Sequence, residues 1–553
     1  MSTPTEPTEP EPSSAAAAAP APAPGGLGQA LAHPVFRGLW LSSGLYFIAN
    51  AMHTMAAAWL MVELSGSSFL AALVQTAVFL PMFVLSLPAG VLADTTDRGR
   101  LILSALAVQA VALVLLAVLM LAGWGGPATV LLLTFVAGCC TAVLSPAWNS
   151  SVGEVLPREQ LPQAIVSMSI AYNGARALGP ALAGLVYGLA AAAGGALIGA
   201  GTVFAMALAG TAVMAWAFRR WPPKAHPESR LPPERLWAGT VTGARYAWHS
   251  HTILSQLVRT AAFSAAGAAL WALLPVIGAQ RLGLGAEGFG FLMACLGGGA
   301  VVAGLVIARV RQGLGLERLV AGAIAAFGAV MLVTALSRWA WPVYAALVVG
   351  GGAWMSVMST FNTATQSSAP PWVRSRATAL HVLSALGPFA LGSALWGAVS
   401  ALLGLQATLL LATALVWLGL LLARRFPLRM SGETEVTQVA FEDLLVKHQP
   451  PPEAGPVAVE FSYRLKPEAV DQFLADVQQL KAPRHRDGAT FWRIYRDLDE
   501  PARCVERFIV SSWADYLRQR ARSTMADRAQ EEALRQHLLP GEQVVMKHYL
   551  AER

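Results

Sequence analysis

Residues 101–122 read LILSALAVQAVALVLLAVLMLA, an uninterrupted run without one charged side chain. At 1.5 Å per residue such a run is long enough to cross a bilayer, where a helix satisfies its own backbone hydrogen bonds. Working outward, similar runs recur at 38–62, 69–92, 128–148, 164–190, 196–218, 256–279, 288–308, 319–336, 341–361, 378–400 and 403–422. Twelve spans therefore fall into two sets of six around a basic central loop. The predicted fold class is an all-α membrane protein with a small α+β domain behind it. Composition agrees: 55% of residues are hydrophobic and 13% are charged, too apolar for one soluble core. The net charge of +7 is no nucleic-acid signal, because its arginines alternate with spans instead of forming one tract.

Those arginines orient the chain. With the N-terminus in the cytoplasm, the inner connections carry Arg98 and Arg100, Arg158, then Arg219, Arg220, Lys224, Arg230, Arg235 and Arg245. They continue with Arg309, Arg311 and Arg318, and with Arg374 and Arg376, whereas the outer connections hold Arg281 and Arg338. The positive-inside rule then predicts an inner-membrane protein with both termini cytoplasmic. Residues 1–30, rich in Pro and Ala, have neither the basic nor the apolar region of a signal peptide and are expected to be a disordered tail. Six-helix bundles are expected at 31–218 and 256–425, with a cytoplasmic loop at 219–255 between them. A linker at 426–455 and a domain at 456–553 complete the division. Cys139, Cys140, Cys295 and Cys504 lack metal-ligand spacing, so no metal and no disulfide is expected.

The halves resemble one another. Trp148-Asn149 followed by Val155-Leu156-Pro157 recurs as Phe361-Asn362 followed by Ser368-Ala369-Pro370, and Gly179-Pro180 with Gly184 recurs as Gly387-Pro388 with Gly392. Internal repeats of this kind are a mark of secondary transporters. Pro removes a helical N–H and Gly removes a side chain, so the two Gly-Pro pairs suit either a hinge or tight helix packing.

The connection after the second span reads Gly90-Val91-Leu92-Ala93-Asp94-Thr95-Thr96-Asp97-Arg98-Gly99-Arg100. It resembles the signature loop of the major facilitator superfamily in Gly90, Asp94, Arg98 and Arg100, with Asp97 standing where most members have Gly. Together with Asn173, Arg176, Gly179 and Pro180, the Asp97-Arg98 variant resembles the branch of enterobactin-type siderophore exporters and secretion permeases. The resemblance covers roughly residues 35–425. It implies alternating access, export of an amphipathic small molecule such as a siderophore or drug, and exchange against protons. Independently, a carboxylate at Asp94 can cap an adjoining helix or pair with an arginine, a contact that holds the cytoplasmic side shut and breaks on opening. The alternative is a topological anchor. The corresponding stretch of the second half, Arg309 to Gly315, is expected to be a loop that has lost its acid.

Ionisable groups at membrane depth each need a reason. Arg176 lies mid-span, where it either meets a solute or pairs internally with an acid such as Glu154. Asn50, His53, Gln75, Gln109, Asn173 and His381 are softer candidates for a substrate or proton path, with interhelical hydrogen bonds as the alternative. No span carries a central Asp or Glu, so coupling falls to Glu63, Asp94, Glu154 or a histidine. A nucleotide-binding Gly-rich loop with Lys is missing as well, which points to secondary transport without a cofactor.

After Pro450-Pro451-Pro452 the pattern turns soluble: strand 457–463, a helix to about Leu480, strands 490–495 and 504–511, a helical stretch 513–537 and strand 543–549. This β-α-β-β-α-β order resembles ferredoxin-like domains, including cofactorless antibiotic-biosynthesis monooxygenases. His485, His537 and His548 are scattered, so a regulatory or self-associating module is expected here. The competing reading is a membrane-anchored enzyme or sensor, with this domain as the working part.

Overall fold

The computed structural model describes residues 31–156, 160–220, 236–439 and 449–552. Twelve of its helices are long and apolar enough to cross a membrane. The first six are α1 (Pro34–Ser65), α2 (Ser68–Thr95), α3 (Arg98–Leu121), α4 (Pro127–Val155), α5 (Leu161–Gly194) and α6 (Ala196–Arg220). A shorter α7 (Leu236–His249) lies within the central connection. The second set is α8 (His251–Val276), α9 (Ala286–Leu314), α10 (Leu316–Leu336), α11 (Ala340–Ser367), α12 (Arg374–Leu403) and α13 (Leu405–Leu418), α8 ending in a π-helical turn at Ile277–Arg281.

Glycine at positive φ makes the tightest reversals. Gly195 (φ 88°) turns α5 into α6 and Gly404 (φ 80°) turns α12 into α13, the same place in each half. Leu189, Leu305 and Leu402 point outward with 67%, 73% and 84% of their surface exposed. A water-soluble protein could not carry such a band, and a bilayer requires it. Trp124, Trp339 and Trp341 stand exposed at one end of the bundle, as tryptophans at a membrane interface do. We call that end the far side and the opposite end, where residues 426–439 and 449–552 lie, the tail side.

Two seams join the halves: α2 packs on α12 and α5 packs on α9. The internal repeat exchanges these two pairs, so the seams are equivalent. At the second seam a Cβ on Gly184 would fall 2.6 Å from the Ala286 carbonyl and 2.9 Å from the Gly290 Cα. Glycine there lets two backbones touch.

The stretch from Arg309 differs from its sequence expectation. It remains helical through Leu314, passing Gly313 without a positive φ, and stops at Gly315 (φ 75°). The chain after the last span is also fastened. Arg259 of α8, whose side chain is 2% exposed, pairs with Glu317 of α10 at 2.8 Å, and Glu317 accepts from the Leu428 N–H at 2.9 Å. Gln256 donates to the Arg429 carbonyl at 3.1 Å.

The tail domain comprises β1 (Val457–Arg464), α14 (Val470–Val477), α15 (Lys481–Asp487), β2 (Phe491–Arg496), β3 (Arg503–Val510), α16 (Trp513–Arg522), α17 (Met525–Leu534) and β4 (Val545–Leu550). Its four-stranded antiparallel sheet has the order β2-β3-β1-β4 and the expected β-α-β-β-α-β sequence. The stretch 513–537 is two helices because Thr524 and Asp527 form a capping box that starts a new one. The core is anchored by Glu506, fully buried, which accepts from Arg484 Nε and Trp492 Nε1 at 2.9 Å and from the Tyr463 hydroxyl at 3.1 Å.

This domain rests on the second half. His485 stacks on His249 of α7 at 5.6 Å, Arg486 lies over the Tyr246 ring at 5.6 Å, and Arg522 lies over Trp372 at 4.3 Å. Trp372 belongs to the connection between α11 and α12 and meets Tyr246 edge-on at 5.3 Å.

Candidate functional site

Between the halves lies a cavity of about 860 Å³, within the size range of small-molecule sites. The first half contributes Tyr46, Asn50 and Thr54 of α1, Gln75 and Phe79 of α2, Trp148 of α4, and Tyr172 and Arg176 of α5. The second half contributes Trp271 of α8, Phe289 and Met293 of α9, Trp354 and Met358 of α11, and Phe389 of α12. The lining runs from Phe289, in the first turn of α9, and Pro180 to Met168 and Ser169, two turns from the tail-side start of α5.

Toward the far side the space closes. Every residue of α1 from Met55 to Val62 is buried, and so is all of α8 from Gly267 to Val276. Trp59 stacks on Phe289 across the halves at 5.4 Å, and Gln280 donates to the Gly66 carbonyl at 3.0 Å. The Gly184–Gly290 crossing lies beside this plug. The molecule is thus sealed on one side of a shared cavity.

The residues singled out in the sequence separate into distinct places. Asn50, Gln75 and Arg176 line the cavity, with the Arg176 guanidinium over the Trp271 ring at 5.3 Å, a cation–π contact that spans the halves. Asn173 lies one turn earlier, donates to the Ser169 carbonyl at 2.9 Å and lines a small recess behind Arg176. His53 is buried outside the cavity lining, 3.2 Å from the Thr134 hydroxyl and edge-on to Phe204. His381 is likewise buried, 3.5 Å from the Thr260 hydroxyl. Gln109 accepts from the Tyr46 hydroxyl at 2.9 Å. Glu63 sits toward the far side and accepts from Trp59 Nε1 at 2.9 Å and from the Tyr187 hydroxyl.

Gly90 and Asp94 fall in the last two turns of α2 and Glu154 in the last turn of α4; the side chains of Asp94 and Glu154 lie outside the described portion. Asp97 has a definite local role. It is the N-cap of α3, its carboxylate accepting from the Arg100 N–H at 2.7 Å ahead of Arg98. An anion there satisfies an orphan donor and meets the positive helix end. Asp97→Ala should lower thermal stability by about 1 kcal/mol, read by unfolding in detergent, whereas Asp97→Asn should recover most of it.

Gly179 packs against α1, its Cβ position 2.6 Å from Ala51 Cβ, and Gly387 packs against Phe83 of α2. The Gly-Pro motifs therefore sit at close contacts, Gly179 within the first half and Gly387 across the seam.

Sequence reading missed the aromatic wall of Trp271, Trp354 and Phe389, since their partners are far away in the chain. It also missed Arg259, whose charge near the start of the 256–279 run was visible but whose partner Glu317 was not. In the tail, a cleft of about 270 Å³ borders Tyr463, Arg484 and Phe508. His485 meets the Ala489 carbonyl, His537 pairs with Asp476, and His548 meets the Tyr516 hydroxyl at 2.7 Å; none of the three borders that cleft. Burial, with Arg520 nearby, pushes the His548 imidazole below its ordinary range. No cluster of three or more metal-ligating side chains occurs among the described residues.

Solved structures share this architecture at low identity. A bacterial homolog of the human lysosomal transporter Spinster, inward-facing and unoccupied, has 16% identity and a TM-score of 0.55 over 71% of this chain and 97% of its own. A bacterial homologue of the iron transporter ferroportin, in an inward-facing state, has 13% identity and a TM-score of 0.56 over 71% and 99%. An auto-inhibited peptide transporter of the POT family has 13% identity and a TM-score of 0.56 over 72% and 98%. A search of curated proteins finds no significant match. The profile of a family described as transmembrane secretion effector matches residues 28–553, tail domain included. With a two-half bundle around one shared cavity and a family match along nearly its whole length, the chain belongs to the transmembrane secretion effector family, a multi-pass membrane transporter of the major facilitator type.

Proposed function

We propose that the protein is a secondary active exporter of an amphipathic small molecule, alternating between the form described above and one open on the far side. The observation that carries this reading is the cavity shared by both halves and plugged at one end by Trp59, Phe289 and the Gly184–Gly290 crossing. The arginine-rich connections share an end with the tail domain, so the positive-inside rule makes the tail side cytoplasmic and this form inward-facing. Export follows the family resemblance, and a siderophore, drug or secondary metabolite is the class of cargo it implies. Protons are the expected coupling ion, carried by Glu63, Asp94, Glu154 or a histidine, with Asp94 gating the cytoplasmic side. The tail domain rides on the second half as a regulatory or self-associating module in the inner membrane's cytoplasmic space.

The test is uphill movement of amphipathic compounds by the full chain in proteoliposomes under imposed pH or sodium gradients. Movement should need the pH gradient and collapse with a protonophore, and Asp94→Asn should slow it without loss of insertion. Uphill movement sustained by sodium alone would overturn proton coupling. If no compound moves while the tail domain turns over a substrate, the anchored-enzyme reading replaces this one.

A further inference from the structure

Arg176 is the one charged side chain among the described residues lining the central cavity. Its guanidinium is offered the face of Trp271, and among the described residues no carboxylate stands within ion-pair distance of it. An arginine at membrane depth is normally neutralised by an acid, and a ring quadrupole is a weaker substitute. The site thus holds a positive charge whose best partner is not supplied by the described walls.

The backbone around it is fixed. A Cβ on Gly297 of α9 would fall 2.6 Å from Ala177 Cα and 2.8 Å from the Arg176 carbonyl, so α9 clamps this turn of α5 directly. Behind Arg176 a recess of about 50 Å³ is bordered by Asn173, Trp271, Gly297, Gly351 and Trp354. Since one water needs about 10–15 Å³ by such a measure, the recess has room for a few waters or one small anionic head group. On the cavity side, Phe47, Tyr172, Trp354, Met358 and Phe389 offer rings and a thioether, the surface that takes an apolar or aromatic body.

We propose that the cavity selects an amphipathic organic anion, its carboxylate or other oxyanion received by the Arg176 fork at the recess and its apolar body lying against the aromatic wall. This rests on the transporter reading above and names its substrate class. A guanidinium matches a carboxylate with two parallel hydrogen bonds, which Lys cannot reproduce. The approaching anion replaces the Trp271 face as the charge's partner, so recognition draws on both halves. An amphipathic cation meets like charge in a low-dielectric space and is rejected.

The experiment is binding to the purified full chain in nanodiscs by three probes of one shape: naphthylacetate, its neutral primary amide, and naphthylethylammonium. The anion should bind at least about ten-fold more tightly than the amide, the yield of one charge-assisted hydrogen bond, and the ammonium more weakly than either. Arg176→Met should bring the anion down to the level of the amide while leaving the amide unchanged, and Arg176→Lys should fall between. Should Arg176→Met fail to fold, Arg176→Gln serves, and the three-probe order on the wild type decides by itself. Equal affinities, preference for the ammonium, or no binding of any probe at millimolar concentration overturns the anion site. Because binding is read without a gradient, an anion preference in a protein that moves nothing would sink the exporter reading and spare this one.

Discussion

Gly184→Val is expected to hold the molecule open on the far side and to cut transport ten-fold or more. A Cβ at this position meets the Ala286 carbonyl at 2.6 Å and the Gly290 Cα at 2.9 Å, both backbone, so no rotamer change can relieve the contact. Overpacking of this kind costs about 1–3 kcal/mol, and each 1.4 kcal/mol moves a two-state equilibrium ten-fold. The cost falls on the form with α5 pressed against α9, while a form in which these helices part on the far side escapes it. Labelling from the far side by a membrane-impermeant maleimide at Thr54→Cys, a position that lines the cavity outside the plug, in a background with Cys139, Cys140, Cys295 and Cys504 replaced, reads the outcome. Unchanged labelling and unchanged turnover would show that the crossing is mere packing.

Glu317→Gln should cost about 3 kcal/mol of stability. Arg259 is nearly without solvent and meets both carboxylate oxygens of Glu317 at 2.8 Å, with the Phe361 ring 5.5 Å away. Removing the charge of one partner leaves the other buried and uncompensated, which costs about 3–5 kcal/mol; the half-exposed Glu317 side chain puts the effect at the lower end. The same carboxylate holds the Leu428 N–H, so the segment leading to the tail domain should loosen together with α8 and α10. Thermal unfolding in detergent measures the loss. The paired replacement Arg259→Met with Glu317→Leu should be the milder one, since no charge is stranded. Equal melting of Glu317→Gln and wild type would reduce the pair to a surface contact.

The two substitutions probe different layers of the molecule, and these layers differ in how far the sequence reveals them. Asp97 shows the limit of local reading. Its position in the 90–100 loop is legible, and so is the idea that a carboxylate in this loop can cap a helix, but sequence reading offers that role, beside pairing with an arginine, to Asp94 and not to Asp97. The reason is local: Asp97 directly precedes the first residue of α3, where its oxygen reaches the Arg100 N–H, whereas Asp94 still belongs to α2. Among the polar residues picked from the spans, Asn50, Gln75 and Arg176 face the cavity, but His53 and His381 are turned into helix–helix contacts with Thr134 and Thr260. A helix of small and apolar residues has no strong amphipathic stripe, so sequence spacing alone does not say which face meets the cavity and which meets lipid.

By itself, then, the sequence determined what a bilayer and a local hydrogen bond determine. Hydrophobic length set the twelve spans, glycines such as Gly66, Gly195, Gly315 and Gly404 closed some of them, and alternation set the strands of the tail domain in their β-α-β-β-α-β order. These follow from neighbours within a few residues. Only the tertiary structure decided that α5 meets α9 through paired glycines, that Arg176 lies over Trp271, that Arg259 finds Glu317, and that Arg522 and Arg486 seat the tail on Trp372 and Tyr246. Each of these joins residues far apart in the chain, where packing of whole helices, and not the preference of any single segment, fixes which side chains meet.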